Sequence, residues 1–163
     1  MKQEKKMRKK KKLFFALISL VSLDFLTKSL TASLNPTQIF PFLSIRATEN
    51  MGSAFGIFAH LPLYNGSMIF LSLLLFFPLS YFLFFEEKKI LSDFSNSFLL
   101  FFLSGVLGNL LDRIFFGYVR DFIALEGFFI FNLADFYLTI AATVLLLSEI
   151  RNLVKANQKD KKK

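Results

Sequence analysis

The stretch SGVLGNLLDRIFFGYVRDF, residues 104–122, decides how the fold of this chain is interpreted. It is apolar enough for lipid, yet it packs two aspartates, two arginines and an asparagine into thirteen residues: Asn109, Asp112, Arg113, Arg120 and Asp121. Ionisable residues inside a bilayer are costly, usually face the interior of a helix bundle or a water-filled cavity, and mark function by default. The stretch therefore predicts a membrane span that ends in a functional site.

The composition agrees with a membrane protein and excludes several kinds of site. Hydrophobic residues make up 54% of the 163 residues, more than a soluble domain of this size hides in one core. The chain has no cysteine and a single histidine, His60, which excludes a disulfide framework, a thiolate nucleophile and a Cys- or His-based metal cluster. We therefore expect neither a metal nor another cofactor.

Four apolar runs meet or approach the roughly 20 residues that a span needs. They lie at about 13–34, 67–85, 94–115 and 130–149. Of the 20 Lys and Arg residues, eight lie in residues 1–12 and six in residues 151–163. The positive-inside rule places both tails in the cytoplasm, and four spans satisfy it. We interpret the basic tails as partners of anionic lipid headgroups, with no nucleic acid involved.

The start of the chain has an alternative interpretation. Lysines followed by LFFALISLVSL also look like a cleavable signal peptide. That alternative is less favoured, because the apolar run continues past Asp24 and three remaining spans would leave the tails on opposite sides.

The connections between spans complete the expected fold. EEKKILSD, residues 86–93, is expected to be a cytoplasmic turn. Residues 35–66 face outward, and runs such as TQIFPFLSI and AFGIF suggest strands or interfacial segments there. The second outward segment, 116–129, is short. The predicted fold class is an all-α integral membrane protein of one domain, with four transmembrane helices and a small extracytoplasmic β-containing subdomain between helices 1 and 2.

The depth of the charged residues follows from the rise of a helix, about 1.5 Å per residue. Asp112 then lies in the outer part of the third span, and Asp121, beyond Gly117, lies near the outer interface. The fourth span descends from outside, so Asp135 is near its outer end. Antiparallel neighbours joined by a short loop pack side by side, which brings Asp121 and Asp135 to a similar depth. Asp24 lies at mid-depth or a little outward.

Two close carboxylates at a wet membrane surface can share one proton, since the first ionisation opposes the second. One then acts as general base toward water and the other as general acid, as in aspartic proteases. Asp121 and Asp135 fit this arrangement. A serine paired with His60, or with Lys28, has no supporting motif.

Other roles for the charges remain open. Asp24 with Lys28 at i, i+4, and Asp112 with Arg113 or another partner, could equally be buried pairs that stabilise the bundle. A small transporter or channel subunit could instead relay protons through Asp24, Asp112 and Asp135. It would need carboxylates across the full bilayer depth, and the inner halves of spans two to four contain none.

Four short blocks resemble the type II signal peptidases, the lipoprotein signal peptidases of bacteria, in order and spacing. They are DFLTK (24–28), NMGSAFG (50–56), GVLGNLLDR with VRDF (105–113 and 119–122) and FNLAD (131–135). The resemblance implies a four-helix aspartic endopeptidase of the bacterial cytoplasmic membrane. Such an enzyme removes the signal peptide of prolipoproteins just before a cysteine that bears a diacylglyceryl group.

The resemblance gives the catalytic pair to Asp121 and Asp135. The positions that it places around the active site or on the substrate are Asp24, Lys28, Asn50, Gly52, Gly105, Gly108, Asn109, Asp112, Arg113, Asn132 and Ala134. The two glycines are expected to let helices approach closely. Expected partners are lipid-modified prolipoproteins and membrane lipids, and we expect a monomer.

This chain departs from the family pattern in three places. Ser104 stands where many members have a second glycine, and the loop from Asp121 to Asp135 is shorter than in some members. Arg120, beside Asp121, is unusual and is expected either to favour the ionised carboxylate or to extend toward the interface.

Overall fold

The computed structural model describes residues 2–52, 63–85 and 93–160. Its elements are the helices α1 (Lys2–Thr31), α2 (Tyr64–Phe84), α3 (Asp93–Phe115) and α4 (Leu133–Asp160), and the strands β1 (Thr37–Phe40), β2 (Leu43–Asn50), β3 (Val119–Leu125) and β4 (Phe129–Phe131). The AFGIF run, His60 and the predicted turn at 86–93 lie outside the described residues, except for Asp93, where α3 begins.

Each of the four helices is long and apolar enough to cross a membrane, as the sequence predicted. The helix bounds differ from the expected spans at the basic tails. α1 begins at Lys2 and α4 continues to Asp160, so most of each tail extends a spanning helix. Lysine is a good helix former, and neither helix contains a glycine or proline that would interrupt it.

One antiparallel sheet, in the order β1-β2-β3-β4, covers one end of the bundle. β2 pairs with β3, with Thr48 opposite Asp121 and Glu49 opposite Arg120. Two strands thus come from the α1–α2 connection and two from the α3–α4 connection. The sequence predicted β structure in residues 35–66 alone and only a short segment at 116–129. The structure corrects this prediction, because β3 and β4 lie between α3 and α4. The backbone groups of β2 are paired on both edges, because β1 lies along one edge and β3, from the α3–α4 connection, lies along the other.

The apolar core lies between α1, α2 and α3, away from the sheet. Its buried members are Leu17, Val21, Leu83, Leu99 and Leu103. Gly117, with φ +84°, follows α3 and turns the chain into β3. Asp121 therefore lies on a strand, in the segment that the sequence predicted only to be short and outward-facing. We call the end with the sheet the sheet end and the end with both termini the terminal end.

Candidate active site

Asp135 is fixed in the first turn of α4 by a reciprocal pair of hydrogen bonds. The Asn132 side chain accepts from the Asp135 backbone N–H (2.9 Å), and the Asp135 carboxylate accepts from the Asn132 backbone N–H (3.2 Å). This is a capping box, with aspartate in the place of the usual glutamate or glutamine. The N-x-x-D spacing in FNLAD is a local sequence signal for this geometry.

Asn132 also holds the other aspartate. Its Nδ2 donates to Oδ1 of Asp121 at 2.6 Å, and Nδ2 of Asn50 donates to Oδ2 of Asp121 at 2.9 Å. Asn132 is fully buried and Asp121 is 3% exposed. One asparagine therefore ties strand β3 to the start of α4 and brings the two carboxylates into one site.

Asn109 of α3 completes this amide network. Its Nδ2 donates to Oδ1 of Asp135 at 2.8 Å. Its Oδ1 accepts from Nδ2 of Asn132 and from Nζ of Lys28, each at 3.1 Å. Because the Lys28 ammonium and the Asn132 amide both donate to this oxygen, the amide N–H of Asn109 is directed at the Asp135 carboxylate.

A chain of buried charges leads away from Asn109. Lys28 lies 2.8 Å from the Asp24 carboxylate and 3.2 Å from that of Asp112. Asp24 also accepts a hydrogen bond from the backbone N–H of Ala134 at 2.8 Å. The predicted Asp24–Lys28 pair is therefore present, and it is part of a network that also holds the first turn of α4.

Arg120 takes a position that the sequence did not predict. Its Nη2 lies 2.8 Å from Oδ1 of Asp112, and its guanidinium stacks over the rings of Phe25 (4.8 Å) and Phe116 (4.2 Å). Alternation along β3 directs neighbouring side chains to opposite faces of the strand. Asp112 is thus paired with Arg120 as well as with Lys28, whereas the sequence had suggested Arg113 or another residue as its partner. The hydrogen bonds and ring contacts of Arg120 go to Asp112, Ser29, Phe25 and Phe116.

Arg113 instead faces the segment after β2. Its Nη2 donates to the Gly52 carbonyl at 3.2 Å, while the Gly52 N–H donates to Oδ1 of Asn50 at 2.9 Å. Asn50, Gly52 and Arg113 are thereby linked, so the N-x-G element is anchored to α3 beside the aspartates.

Gly105 and Gly108 allow the helices at the site to approach closely. A Cβ on Gly105 would lie 2.6 Å from the Ala134 carbonyl oxygen, and one on Gly108 would lie 2.7 Å from Oδ2 of Asp24. Ser104, where a glycine was expected, is fully buried and donates to the Leu100 carbonyl at 2.8 Å. Its hydroxyl is accommodated within its own helix.

A cavity of about 650 Å³ opens beside this network, between α2, α3, α4 and the sheet. Asn50, Asn109, Arg113 and Asp135 form one part of its wall. Most of the remaining wall is apolar, with Met68, Leu71, Leu75, Phe102, Val106, Phe129, Phe131, Phe136 and Leu138. Sequence patterns did not single out these apolar residues, since any lipid-facing helix carries similar ones.

Burial, and next the charge of Asp135, raise the pKa of Asp121 to about 6. Hydrogen bonds from Asn50 and Asn132 act in the opposite direction, because they stabilise the ionised carboxylate. Asp121 therefore holds its proton at a pH where an ordinary aspartate has lost it.

Comparison with known proteins gives the family. A family model described as signal peptidase (SPase) II matches residues 16–151. The chain belongs to the signal peptidase II family. The lipoprotein signal peptidase of Bartonella tribocorum is 34% identical over 125 residues, which cover 74% of this chain and 72% of that one. The lipoprotein signal peptidase of Bartonella bacilliformis is 28% identical over 151 residues, covering 85% and 89%.

Two solved structures of bacterial membrane enzymes have a similar fold. A bacterial membrane enzyme solved at 2.3 Å superposes with a TM-score of 0.74 and 26% identity, covering 87% of this chain and 89% of that chain. A second bacterial membrane enzyme, solved at 1.9 Å, gives a TM-score of 0.71 and 27% identity, covering 84% and 91%. The chain is a transmembrane protease of the lipoprotein-processing family.

Proposed function

We propose that this chain is an aspartic endopeptidase that removes the signal peptide of prolipoproteins, with Asp121 and Asp135 as its catalytic pair. Cleavage falls on the amino side of a cysteine that carries a diacylglyceryl group. The observation that carries the proposal is the sharing of Asn132 by both carboxylates: Asp135 lines a mostly apolar cavity, and Asp121 lies buried behind it with its pKa raised to about 6.

The raised pKa divides the roles within the pair. Asp121 is the protonated member and donates a hydrogen bond to the carbonyl oxygen of the scissile peptide. Asp135, which is partly exposed and lines the cavity, is the general base and takes a proton from water as the water oxygen attacks the carbonyl carbon. The tetrahedral intermediate collapses with cleavage of the C–N bond, and Asp135 passes its proton to the leaving amine.

The amide network positions the pair. Asn109 and the backbone N–H of Asn132 both donate to the Asp135 carboxylate and fix its orientation at the cavity. Arg113, on the wall of the cavity, adds positive charge near the site where the oxyanion develops.

The cavity fits a substrate that remains in the membrane. Its apolar wall suits the hydrophobic segment of a signal peptide or the acyl chains on the modified cysteine, while its polar wall meets the peptide bond. We place both termini in the cytoplasm of a bacterial inner membrane, on the strength of the basic tails. Reporter fusions with the carboxyl terminus outside would overturn this orientation.

The substrate claim is tested with two precursors that differ only in the lipid. Purified protein is incubated with a diacylglyceryl-modified prolipoprotein and with the same precursor lacking the lipid, and release of the signal peptide is followed. We expect cleavage of the lipidated precursor only. Equal cleavage of both would contradict the proposed substrate while leaving the aspartic mechanism standing.

A proton-relay function has less support. Among the residues that the structure describes, the buried carboxylates are Asp24, Asp112 and Asp121. Asp112 and Asp121 contact the sheet or the residue after it, and Asp24 accepts from the first turn of α4 at the same end of the bundle. Within the described part of the bundle, the terminal end instead holds the apolar cluster around Leu17 and Leu103.

A further inference from the structure

A second groove lies toward the terminal end of the bundle, away from the sheet end and the proposed catalytic aspartates. It has a volume of about 700 Å³ and runs between α1 and α2, with Leu107 of α3 also on its wall. Lys10 and Lys11 line it at one end, and the aromatic rings of Phe14, Phe76 and Phe84 line it further in. It shares none of its lining residues with the cavity beside the aspartates.

The groove changes from cationic to apolar along the axis of α1. Lys10, Phe14 and Ile18 follow one another at i, i+4 and all line it. From Lys10 to Ile18 the helix rises about 12 Å. Half of a bilayer's hydrocarbon core is about 15 Å thick. The groove therefore spans roughly the depth of one leaflet, with its charge at the headgroup level.

The α1 backbone that carries the lysines is a continuous helix from Lys2 to Thr31, which fixes their spacing along α1 from Phe14 and Ile18. The aromatic wall is also fixed, since the Phe14 ring packs edge-on against Phe84 with 6.2 Å between centroids. Lys10 lines the groove and is only partly exposed. Glu86 and Glu87 follow α2 in the sequence and lie outside the described residues. An experiment on the lysines must therefore also reveal whether these carboxylates neutralise them.

We propose that this groove binds one phospholipid with an anionic headgroup, from the leaflet that faces the termini. The phosphate lies between Lys10 and Lys11, and one acyl chain lies along the Phe14 and Phe84 rings. This proposal does not rest on the proposed peptidase activity.

Charge argues against other occupants. The amino-terminal region of a signal peptide is basic and would be repelled by the lysines. A second copy of the chain would bring its own basic tails, eight Lys and Arg in residues 1–12 and six in 151–163, toward the same lysines. An anionic lipid supplies both the negative charge and the alkyl chain that the groove lacks.

The test measures lipid retention directly and uses no peptide substrate. Full-length protein in detergent is mixed with phosphatidylglycerol or phosphatidylcholine of equal chain length, and bound lipid is counted by native mass spectrometry. Neutralising each lysine at an anionic surface costs about fivefold in affinity, so K10Q/K11Q should lose about 25-fold in binding of phosphatidylglycerol. Binding of phosphatidylcholine should be weak in all proteins.

The matched control is K5Q/K12Q, which removes the same charge from the same helix at positions outside the groove. It should retain phosphatidylglycerol within about twofold of the parent. Equal losses in the two double variants would show diffuse attraction to the tail and overturn the proposal. If K10Q/K11Q bound phosphatidylglycerol as well as the parent does, the proposal would also be overturned. That result is expected if Glu86 or Glu87 already neutralises the lysines.

A second variant tests the apolar part without changing charge. Ser80, on the groove wall, is replaced by phenylalanine to fill the space. Ser80→Phe should lose most of its phosphatidylglycerol although both lysines remain, and millimolar inorganic phosphate should not displace the lipid from the parent. Full retention by Ser80→Phe, or displacement by phosphate alone, would contradict a seated phospholipid.

Discussion

The proton on Asp121 can be tested by removing one of the two amide donors to its carboxylate. Nδ2 of Asn50 donates to Oδ2 of Asp121 at 2.9 Å and stabilises its ionised form. In Asn50→Leu this donor is lost, and the ionised carboxylate becomes harder to form. A hydrogen bond to a charged group contributes about 1.5–3 kcal/mol. Since one pKa unit corresponds to about 1.4 kcal/mol, the pKa of Asp121 should rise by about one to two units.

The sign of the effect on activity follows from the proposed mechanism. With the pKa of Asp121 at about 6, the protonated acid is present below that pH and is lost above it. The parent's kcat/KM should therefore fall tenfold per pH unit above about pH 6. In Asn50→Leu this alkaline limb should move upward, to about pH 7 or higher, even if the overall rate drops.

The assay is kcat/KM on a lipidated precursor peptide between pH 4.5 and 8.5. Asn65→Leu serves as the control, because the Asn65 amide donates to the Arg113 carbonyl (3.4 Å) instead of to an aspartate. Its alkaline limb should stay at about pH 6. A limb that is unmoved or moved downward in Asn50→Leu would refute the assignment of the proton to Asp121.

Three further substitutions test the surrounding network. Lys28→Met leaves Asp24 and Asp112 facing each other without their shared cation, so thermal unfolding should show a loss of about 3–5 kcal/mol; a stability equal to the parent's would contradict the role of this pair. Gly108→Ala puts a Cβ 2.7 Å from Asp24, and unfolding should show a loss of about 1–3 kcal/mol, whereas an unchanged midpoint would mean that the helices separate easily. Arg120→Gln should cost about 1–3 kcal/mol because Asp112 loses a charged partner. It should leave the alkaline limb of kcat/KM in place, and a shifted limb would show that Arg120 does act on the dyad.

The spans and the clustering of polar residues were open to prediction from the sequence because they depend on local patterns. Apolar runs of about 20 residues identify helices, and the rise per residue placed Asp112 and Asp135 at the same end. All the site positions carried over from the family blocks meet in or beside one network, although their catalytic or binding roles stay predictions.

The sheet and the partner of Asp112 could not be predicted in the same way. The pairing of β2 with β3 joins residues about 70 positions apart, such as Thr48 and Asp121, and no local pattern specifies it. Because residues 119–125 form a strand, Arg120 and Asp121 point to opposite faces of it, and Arg120 reaches Asp112. The capping box at Asn132 is different, because its spacing is visible in the sequence.

The most direct measurement is cleavage of a lipidated prolipoprotein by Asp121→Asn and Asp135→Asn, each purified as a folded, monodisperse membrane protein. Asparagine keeps the size of each side chain and removes its acid and base functions. Each single variant should lose activity by orders of magnitude, and the double variant should be little worse, because the two carboxylates act as a unit. Both variants should still bind the lipidated precursor. Substantial cleavage by either well-folded variant would contradict the assignment of Asp121 and Asp135 as the catalytic pair.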